Sequence, residues 1–454
     1  MKNGDIVELN IEKLSNLGYG IAKHEGQVVF VENACPEDVV KAKVTKVTKT
    51  WANAEVVEVV TPSQYRVEPF CAMSKVCGGC QLQFVDYDYQ LVLKKQIVED
   101  AIKSIGGLDI EIKDTIASPS KREYRHKIQY PISQTKVSKR ILAGYFKQKT
   151  HEIVNIKHCP IQPQICDEVI DFIRNKAFDF SISGFNEKKH TGDLRHVVLR
   201  VSEATGKILV VLVVNATKSF DRLKDFANAI YSEFKEVSGV CVNFNSKKTN
   251  VILGPNTELL VGKDFVKERI LDKTFRIGAN TFFQINPKSA ENIFGFIKKY
   301  ISENFENPSI LDAYAGITSI GICLSDVASK VVSVEECKQS VELAQETCEK
   351  NEVKNVELHN MDAAKFFEKE LKTKKRRFDC VILDPPRKGC TKESLDYAYS
   401  LSKGKIIYVS CNPATLARDL KYLCEKGCSV EYIQPFDMFC HTYHVESVAV
   451  ININ

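Results

Sequence analysis

The chain has 454 residues, 44% of them apolar and 27% charged, with a net charge of +5. That length supports about three domains, each with its own core, and excludes a short disulfide-built scaffold. The longest apolar run, residues 208–214, is far too short to span a bilayer, and so thinly spread a charge permits nucleic-acid binding without demanding it.

The opening residues, Met-Lys-Asn-Gly-Asp-Ile-Val-Glu, hold no apolar signal segment, so a cytoplasmic location is expected. Sixteen cysteines in such a chain point to free thiols, metal ligands or catalysis. Residues 1–61 read as a small all-β unit, with short strands at 5–11, 20–22, 28–31, 39–47 and 54–60 between Gly, Asn, Pro and Lys. That suits a small barrel of the oligonucleotide-binding type. Lys41, Lys43, Lys46 and Lys49 fit either a basic stripe for phosphates or a lysine-protected edge strand. Gly-Tyr-Gly-Ile-Ala at 18–22, with Val-Phe-Val-Glu-Asn-Ala-Cys-Pro-Glu-Asp at 29–38, resembles the TRAM domain of RNA-modifying enzymes.

Next comes Cys71-x5-Cys77-Gly-Gly-Cys80, with Cys159 in His158-Cys-Pro as a fourth candidate ligand. Spacing fits a structural zinc site and an iron–sulfur cluster equally. The string extended to Gln83 is similar to the 4Fe–4S signature of one branch of RNA uracil-5-methyltransferases. The resemblance implies that Cys71, Cys77, Cys80 and Cys159 hold a cluster that is structural and positions RNA. Leu91, Leu93, Ile97, Val98 and Ile102 predict a helix over 87–105, which can pack on a later domain. Residues 62–274 as a whole are expected to form a β-rich central RNA-binding domain. Ser120-Lys-Arg-Glu-Tyr-Arg-His-Lys127 is its densest mix of cations and an aromatic. A similar Tyr-Arg-x-Lys segment lies close to RNA in relatives, making Arg125 and Lys127 candidates for phosphate or base contacts; an exposed charged strand is the alternative. Residues 374–377, Lys-Lys-Arg-Arg, read as a solvated loop.

From Phe275 onward, strands at 309–314, 330–334, 356–359, 380–383 and 405–409 alternate with helical segments. This rhythm predicts a doubly wound α/β sheet with ligands at the strand C-termini. Segments 430–433 and 445–451 suit an antiparallel hairpin at the sheet edge. The arrangement over 275–454 resembles the Rossmann-like fold of S-adenosylmethionine-dependent methyltransferases. Asp312-Ala-Tyr-Ala-Gly316 ends the first strand in a turn, Glu335 ends the second, and Asp362 follows the third. The resemblance assigns Glu335 to the ribose hydroxyls, Asp362 to the adenine edge, and Tyr314 and Ser319 to the cofactor turn. That turn departs from the relatives' Asp-Leu-Phe-Cys-Gly-x-Gly, with Tyr314 for Phe and Thr318 for the second glycine.

Asp384-Pro-Pro-Arg387 closes the fourth strand, and Lys405-Ile-Ile-Tyr-Val-Ser-Cys-Asn-Pro-Ala-Thr415 carries the fifth strand into a helix. Asn412 is a good N-cap and Pro413 suits the first helical position, which places Cys411 at the mouth beside N–H groups that favour its thiolate. With Phe282-Phe-Gln-Ile-Asn286 and His444-Val-Glu-Ser447, these motifs occur in the order of the RNA 5-methyluridine methyltransferases, which the whole chain resembles. Uracil C5 is a poor nucleophile, so a thiolate must first add at C6, and a base must later remove the C5 proton. The resemblance implies Cys411 as nucleophile and Glu446 as base, with desolvation raising the pKa of Glu446. It also implies Gln284 near the methyl donor, Asp384 holding cofactor or base, and Phe282 stacking on a flipped-out uridine; an ordinary core aromatic is the alternative for Phe282. The expected partner is RNA, 23S ribosomal RNA ahead of transfer RNA, with neither a membrane nor an obligate protein partner. Cytosine-5 methylation, base amino-methylation and a non-catalytic RNA-binding assembly factor are the competing readings. Arg387 and Cys411 disfavour amino-methylation, and the cysteine pair of the cytosine enzymes is not seen.

Overall fold

A computed structural model describes residues 1–374 and 377–453, with only the backbone of Lys374. The basic stretch 374–377 therefore lies largely outside the described residues. The N-terminal sheet has six strands in the order Ile6–Asn10, Val39–Val47, Trp51–Thr61, Gln27–Glu32, Gly20–His24 and Lys13–Leu14. Period-two alternation turns Val40, Ala42 and Val44 inward onto Leu9, Val29 and Val31, and leaves Lys41 and Lys43 outside. Lys41 is paired with Glu58 at 2.9 Å, which thins the basic stripe.

The central sheet is also six-stranded, in the order Asn256–Gly262, Val237–Phe244, Ile208–Val214, Leu194–Val201, Lys127–Gln134 and Ile141–Ala143. Ile208–Val214 runs parallel to Val237–Phe244 across the helix Asp221–Glu233, and its side chains are buried on both faces. That double burial explains its unbroken apolar sequence. Ile208, Val210, Leu212 and Val214 face the helices Gln164–Lys176 and Asp221–Glu233, whereas Leu209, Val211 and Val213 share a core with the helix Pro287–Asn304.

The C-terminal sheet has seven strands, numbered here β1 (Ser309–Ala313), β2 (Lys330–Glu335), β3 (Val356–Asn360), β4 (Phe378–Leu383), β5 (Ser402–Ser410), β6 (Ser429–Phe436) and β7 (Glu446–Asn452). Their order is β3-β2-β1-β4-β5-β7-β6, parallel through β5, with β7 antiparallel to both its neighbours. Helices cover both faces. The helix Tyr87–Ala101, capped by Asp86, packs Leu93, Ile97 and Val98 into the core that holds Leu416, Leu420 and Leu423 of the helix Pro413–Glu425. A π-turn, Ile102–Gly106, follows it, and Ile112 and Ile116 then bridge in parallel to Ile433 and Phe436. The region 87–116 thus joins the C-terminal sheet rather than the central one.

Candidate active site

The C-terminal ends of β1, β2 and β4 bring carboxylates together. Asp312 is buried; its Oδ2 accepts from Gly321 N at 3.1 Å and Ser333 Oγ at 3.3 Å, and its Oδ1 has no partner among the described residues. Burial, then the neighbouring Asp384, pushes its carboxyl up to about 7, and burial pushes Asp384 to about 7 as well. Glu335 accepts from Gly316 N at 2.9 Å and Cys337 N at 2.8 Å, so the β1 turn fixes its carboxylate. Tyr314, Gly316 and Thr318 all have positive φ, at 61°, 56° and 60°. Thr318 thus keeps the backbone state a glycine would adopt. For a β-branched residue this is strained, and its burial and a 2.7 Å bond from its N–H to Ala315 O hold it there. Ser319 opens the short helix Ser319–Cys323 directly after it. Asp362 is exposed and caps the helix Ala363–Lys369, accepting from Lys365 N at 3.1 Å.

An orphaned buried carboxylate oxygen within a cluster of raised carboxyls is a site that wants a cation. S-adenosylmethionine carries two, an ammonium and a sulfonium, and the residues present fit it. The Glu335 carboxylate, already tied down by two backbone donors, suits a pair of hydroxyls.

Cys411 follows β5 directly, and Asn412 caps the next helix by accepting from Ala414 N at 3.1 Å. β5 and β7 are antiparallel with Ser410 opposite Ser447, so the next step along each strand puts Cys411 and Glu446 across from one another. Asn412 Nδ2 and Thr415 Oγ1 both donate to Arg387 O, at 3.1 and 3.3 Å, and Arg418 donates to Lys388 O and Cys390 O. Gly389, with φ 73°, lies where a Cβ would come within 2.6 Å of Arg418 and Asp419, so only glycine lets this loop close on the helix. Arg387 is thereby held beside Cys411.

The Cys411 thiol is pushed up to about 11 by burial and then by Glu446; Arg387 and its own backbone N–H pull it down, and Asp384 pushes it further up. The expected preference for the thiolate is therefore not met in the free protein, because burial and two carboxylates outweigh the helix N-terminus. Glu446, 8% exposed on a strand flanked on both sides, is pushed up to about 8 by burial and by Asp384, against Arg387 and Lys94. His444 is pushed down to about 4 by burial and by Arg387, Lys94 and Arg125, so it is neutral.

Phe282 is 62% exposed in the loop before Pro287, whereas its neighbour Phe283 is buried against Phe275. Gln284 is half-buried in the same loop. Asn286 fixes the end of this loop, capping the helix Pro287–Asn304 and donating to Ser118 Oγ and Met438 O.

Cys71, Cys77, Cys80 and Cys159 lie apart from these groups and line one pocket with Tyr145 and Ile156. Burial raises the thiols of Cys77, Cys80 and Cys159, and each is raised further by another of the four. Among the described residues, no three His, Cys, Asp or Glu side chains are grouped to hold a metal ion. Arg125 sits over the Tyr145 ring at 5.5 Å with a buried, unpaired Nε, so it faces this pocket. Lys127, half-buried and opposite Arg200, is pushed down to about 7 by burial and by the charges of Arg200 and Arg125. Lys94 and Asp437 escaped the sequence reading. They form a fully buried pair at 2.6 Å; Lys94 shares the buried face of its helix with Leu93, Ile97 and Val98, and only its charge argued for water.

A sheet of this order, with carboxylates at successive strand ends, is that of an S-adenosylmethionine-dependent methyltransferase. Residues 86–453 match the family model tRNA (Uracil-5-)-methyltransferase and residues 1–57 match the TRAM domain. The chain belongs to the tRNA (uracil-5-)-methyltransferase family and is an S-adenosylmethionine-dependent RNA methyltransferase. It is 37% identical to an uncharacterized RNA methyltransferase of Clostridium acetobutylicum over 99% of this chain and 97% of that one. It is 33% identical to one of Synechocystis, over 99% and 96%. The crystal structure of the Pyrococcus abyssi tRNA (uracil-54, C5)-methyltransferase with S-adenosyl-L-homocysteine is similar, with a TM-score of 0.77, 29% identity, and 98% and 100% of the two chains covered. Among the described residues, no helix is long and apolar enough to cross a membrane.

Proposed function

We propose that the protein methylates uracil C5 in RNA, giving 5-methyluridine through a covalent adduct on Cys411. The observation that carries this reading is the placement of Cys411 and Glu446 across two adjacent strand ends, with Arg387 and Asp384 beside them. Bound S-adenosylmethionine supplies the electrophilic methyl group. The Cys411 thiol gives its proton to solvent, the thiolate being favoured by Arg387, and its sulfur bonds to C6; the C5–C6 π electrons move onto C5 and O4 as an enolate. Once C5 carries the methyl group, the Glu446 carboxylate takes the C5 proton. The C5–C6 double bond re-forms, the C6–S bond breaks, and Cys411 leaves with the electron pair. Asp312, Glu335, Asp362, Asp384, Tyr314, Ser319 and Gln284 form the cofactor side, and the exposed Phe282 offers a face on which the flipped base stacks.

The four cysteines of the common pocket hold a 4Fe–4S cluster in this reading, supported by their convergence on one cavity. The cluster would brace the wall on which Arg125 packs against Tyr145, and Arg125 and Lys127 are this reading's candidates for RNA contacts from the central domain. The reading divides the chain into 1–61, 62–274 and 275–454, supported by the TRAM match over 1–57 and by separate N-terminal, central and C-terminal sheets. The hairpin Phe265–Ile270 with Lys273–Gly278 spans the second boundary, and the helix Tyr87–Ala101 packs on the last unit. The target is 23S ribosomal RNA, as the TRAM unit combined with the four-cysteine signature resembles that branch, and the enzyme acts in the cytoplasm. A transfer-RNA target is the second reading, favoured by the Pyrococcus abyssi relative, which acts on uracil 54 of tRNA.

The test is methyl transfer from labelled S-adenosylmethionine to purified 23S and transfer RNA. Cys411→Ala is expected to abolish transfer and to leave S-adenosylmethionine binding nearly unchanged. Retained methylation by this variant overturns the covalent mechanism, and the RNA that takes up label decides between the targets.

A further inference from the structure

The connection from β6 to β7, residues 437–445, delivers Glu446 to the site, and groups distant in sequence hold it. Lys94 Nζ, fully buried, donates to Asp437 Oδ1 at 2.6 Å and Phe439 O at 3.0 Å. Tyr87 OH donates to Asp437 Oδ2 at 2.7 Å. Gln90 accepts from His441 N at 3.1 Å and contacts His441 Nδ1 at 3.3 Å, and its amide also donates to Leu82 O and Val85 O. His441 has φ 63°, and its carbonyl accepts from both Gln81 N and Leu82 N at 2.9 Å, immediately after Cys80.

A nine-residue hairpin connection would ordinarily be among the mobile parts of a sheet. Here a helix that precedes the central sheet in the chain supplies a buried ammonium and a buried amide to it. A buried ion pair adds little to stability over an apolar substitute, so its use is sought in the geometry it enforces.

We propose that Lys94 and Gln90 are positioning residues for Glu446, holding the 437–445 connection so that the base meets the C5 proton. The inference rests on the role of Glu446 proposed above. The charged groups acting on Glu446 are Asp384, Arg387 and Lys94, so Lys94 also sits close enough to ease the ionisation of the base. Loss of these anchors lets the base drift while Cys411, held between β5 and the helix Pro413–Glu425, stays in place. Adduct formation then continues and release is delayed.

The test uses full-length protein carrying Lys94→Met with Asp437→Asn, which removes both charges together and leaves no lone buried ion. Gln90→Met is the second variant, which touches no charge. Folding is followed by circular dichroism and S-adenosylmethionine binding, and single turnovers on RNA separate adduct formation from release. The expected result is formation within about twofold of the parent, with release slowed at least about tenfold. A methylated RNA–protein complex resistant to denaturant then accumulates, as in Glu446→Gln. In the Lys94 variant the pH midpoint of release also moves upward, because a cation facing the base is gone. Folded variants that release at the parent rate overturn the proposal, as do variants that slow formation and release equally. If Glu446→Gln itself builds no adduct, the assignment of the base falls, and this inference with it.

Discussion

Glu446 gives the sharpest quantitative expectation. Its carboxyl is pushed from an ordinary 4.5 to about 8, mainly by burial at the start of β7. Only the ionised form can take the C5 proton. At pH 7 about a tenth of it is ionised and at pH 9 about nine-tenths, so adduct release should speed up about tenfold between these values. The same shift acts on folding with a defined sign. An unfolded chain loses this proton near 4.5 whereas the folded protein keeps it to about 8, so the group destabilises the fold progressively as pH rises through that window. Glu446→Gln removes the effect and should stabilise the protein by on the order of 3 kcal/mol at pH 7. The gain should vanish near pH 4, where both states are protonated. Chemical denaturation at pH 4 and pH 8 measures the stability effect, and quenched single turnovers across pH 6.5 to 9 measure release. A release rate flat over that range, together with a glutamine variant no more stable than the parent at pH 8, would refute the reasoning.

Glu335→Ala removes a carboxylate held by Gly316 and Cys337, and should weaken S-adenosylmethionine binding by about 10- to 100-fold in calorimetry, the loss of one or two charge-assisted hydrogen bonds. Phe282→Ala, at an exposed ring, should lower kcat/KM for RNA by about 5- to 150-fold through lost base stacking and leave cofactor affinity unchanged. Equal losses for RNA and cofactor would mean that the ring serves folding instead. Cys77→Ala, expressed and purified without oxygen, should lose iron and visible absorbance; a full complement of iron in that variant contradicts the ligand set.

Much of the C-terminal sheet was legible because its strands are β-branched apolar runs such as Lys330–Glu335 and its helices start at strong caps. The Asn412-Pro413 start is borne out in detail by the bond from Ala414 N. The motifs at successive strand ends marked the carboxylates, since a doubly wound sheet gathers those ends on one side. Three things were not legible. The titration of Cys411 depends on Asp384 and Glu446, which reach it from other strands, so the local helix start misled. The helix Tyr87–Ala101 hides Gln90 and Lys94 inside, and interior lysines are rare enough that sequence pattern assigns them to water. Arg125 looked like one cation in an exposed basic run, yet tertiary packing turned it onto Tyr145.

The central claim is the covalent chemistry at Cys411, and RNA carrying 5-fluorouridine tests it most directly. Fluorine at C5 cannot be taken as a proton, so release by Glu446 is blocked and the adduct must accumulate when S-adenosylmethionine is present. Peptide mass spectrometry is expected to find a methylated fluorouracil attached at Cys411, on 23S or transfer RNA. No adduct with either RNA, or one attached to a different cysteine, would contradict the account.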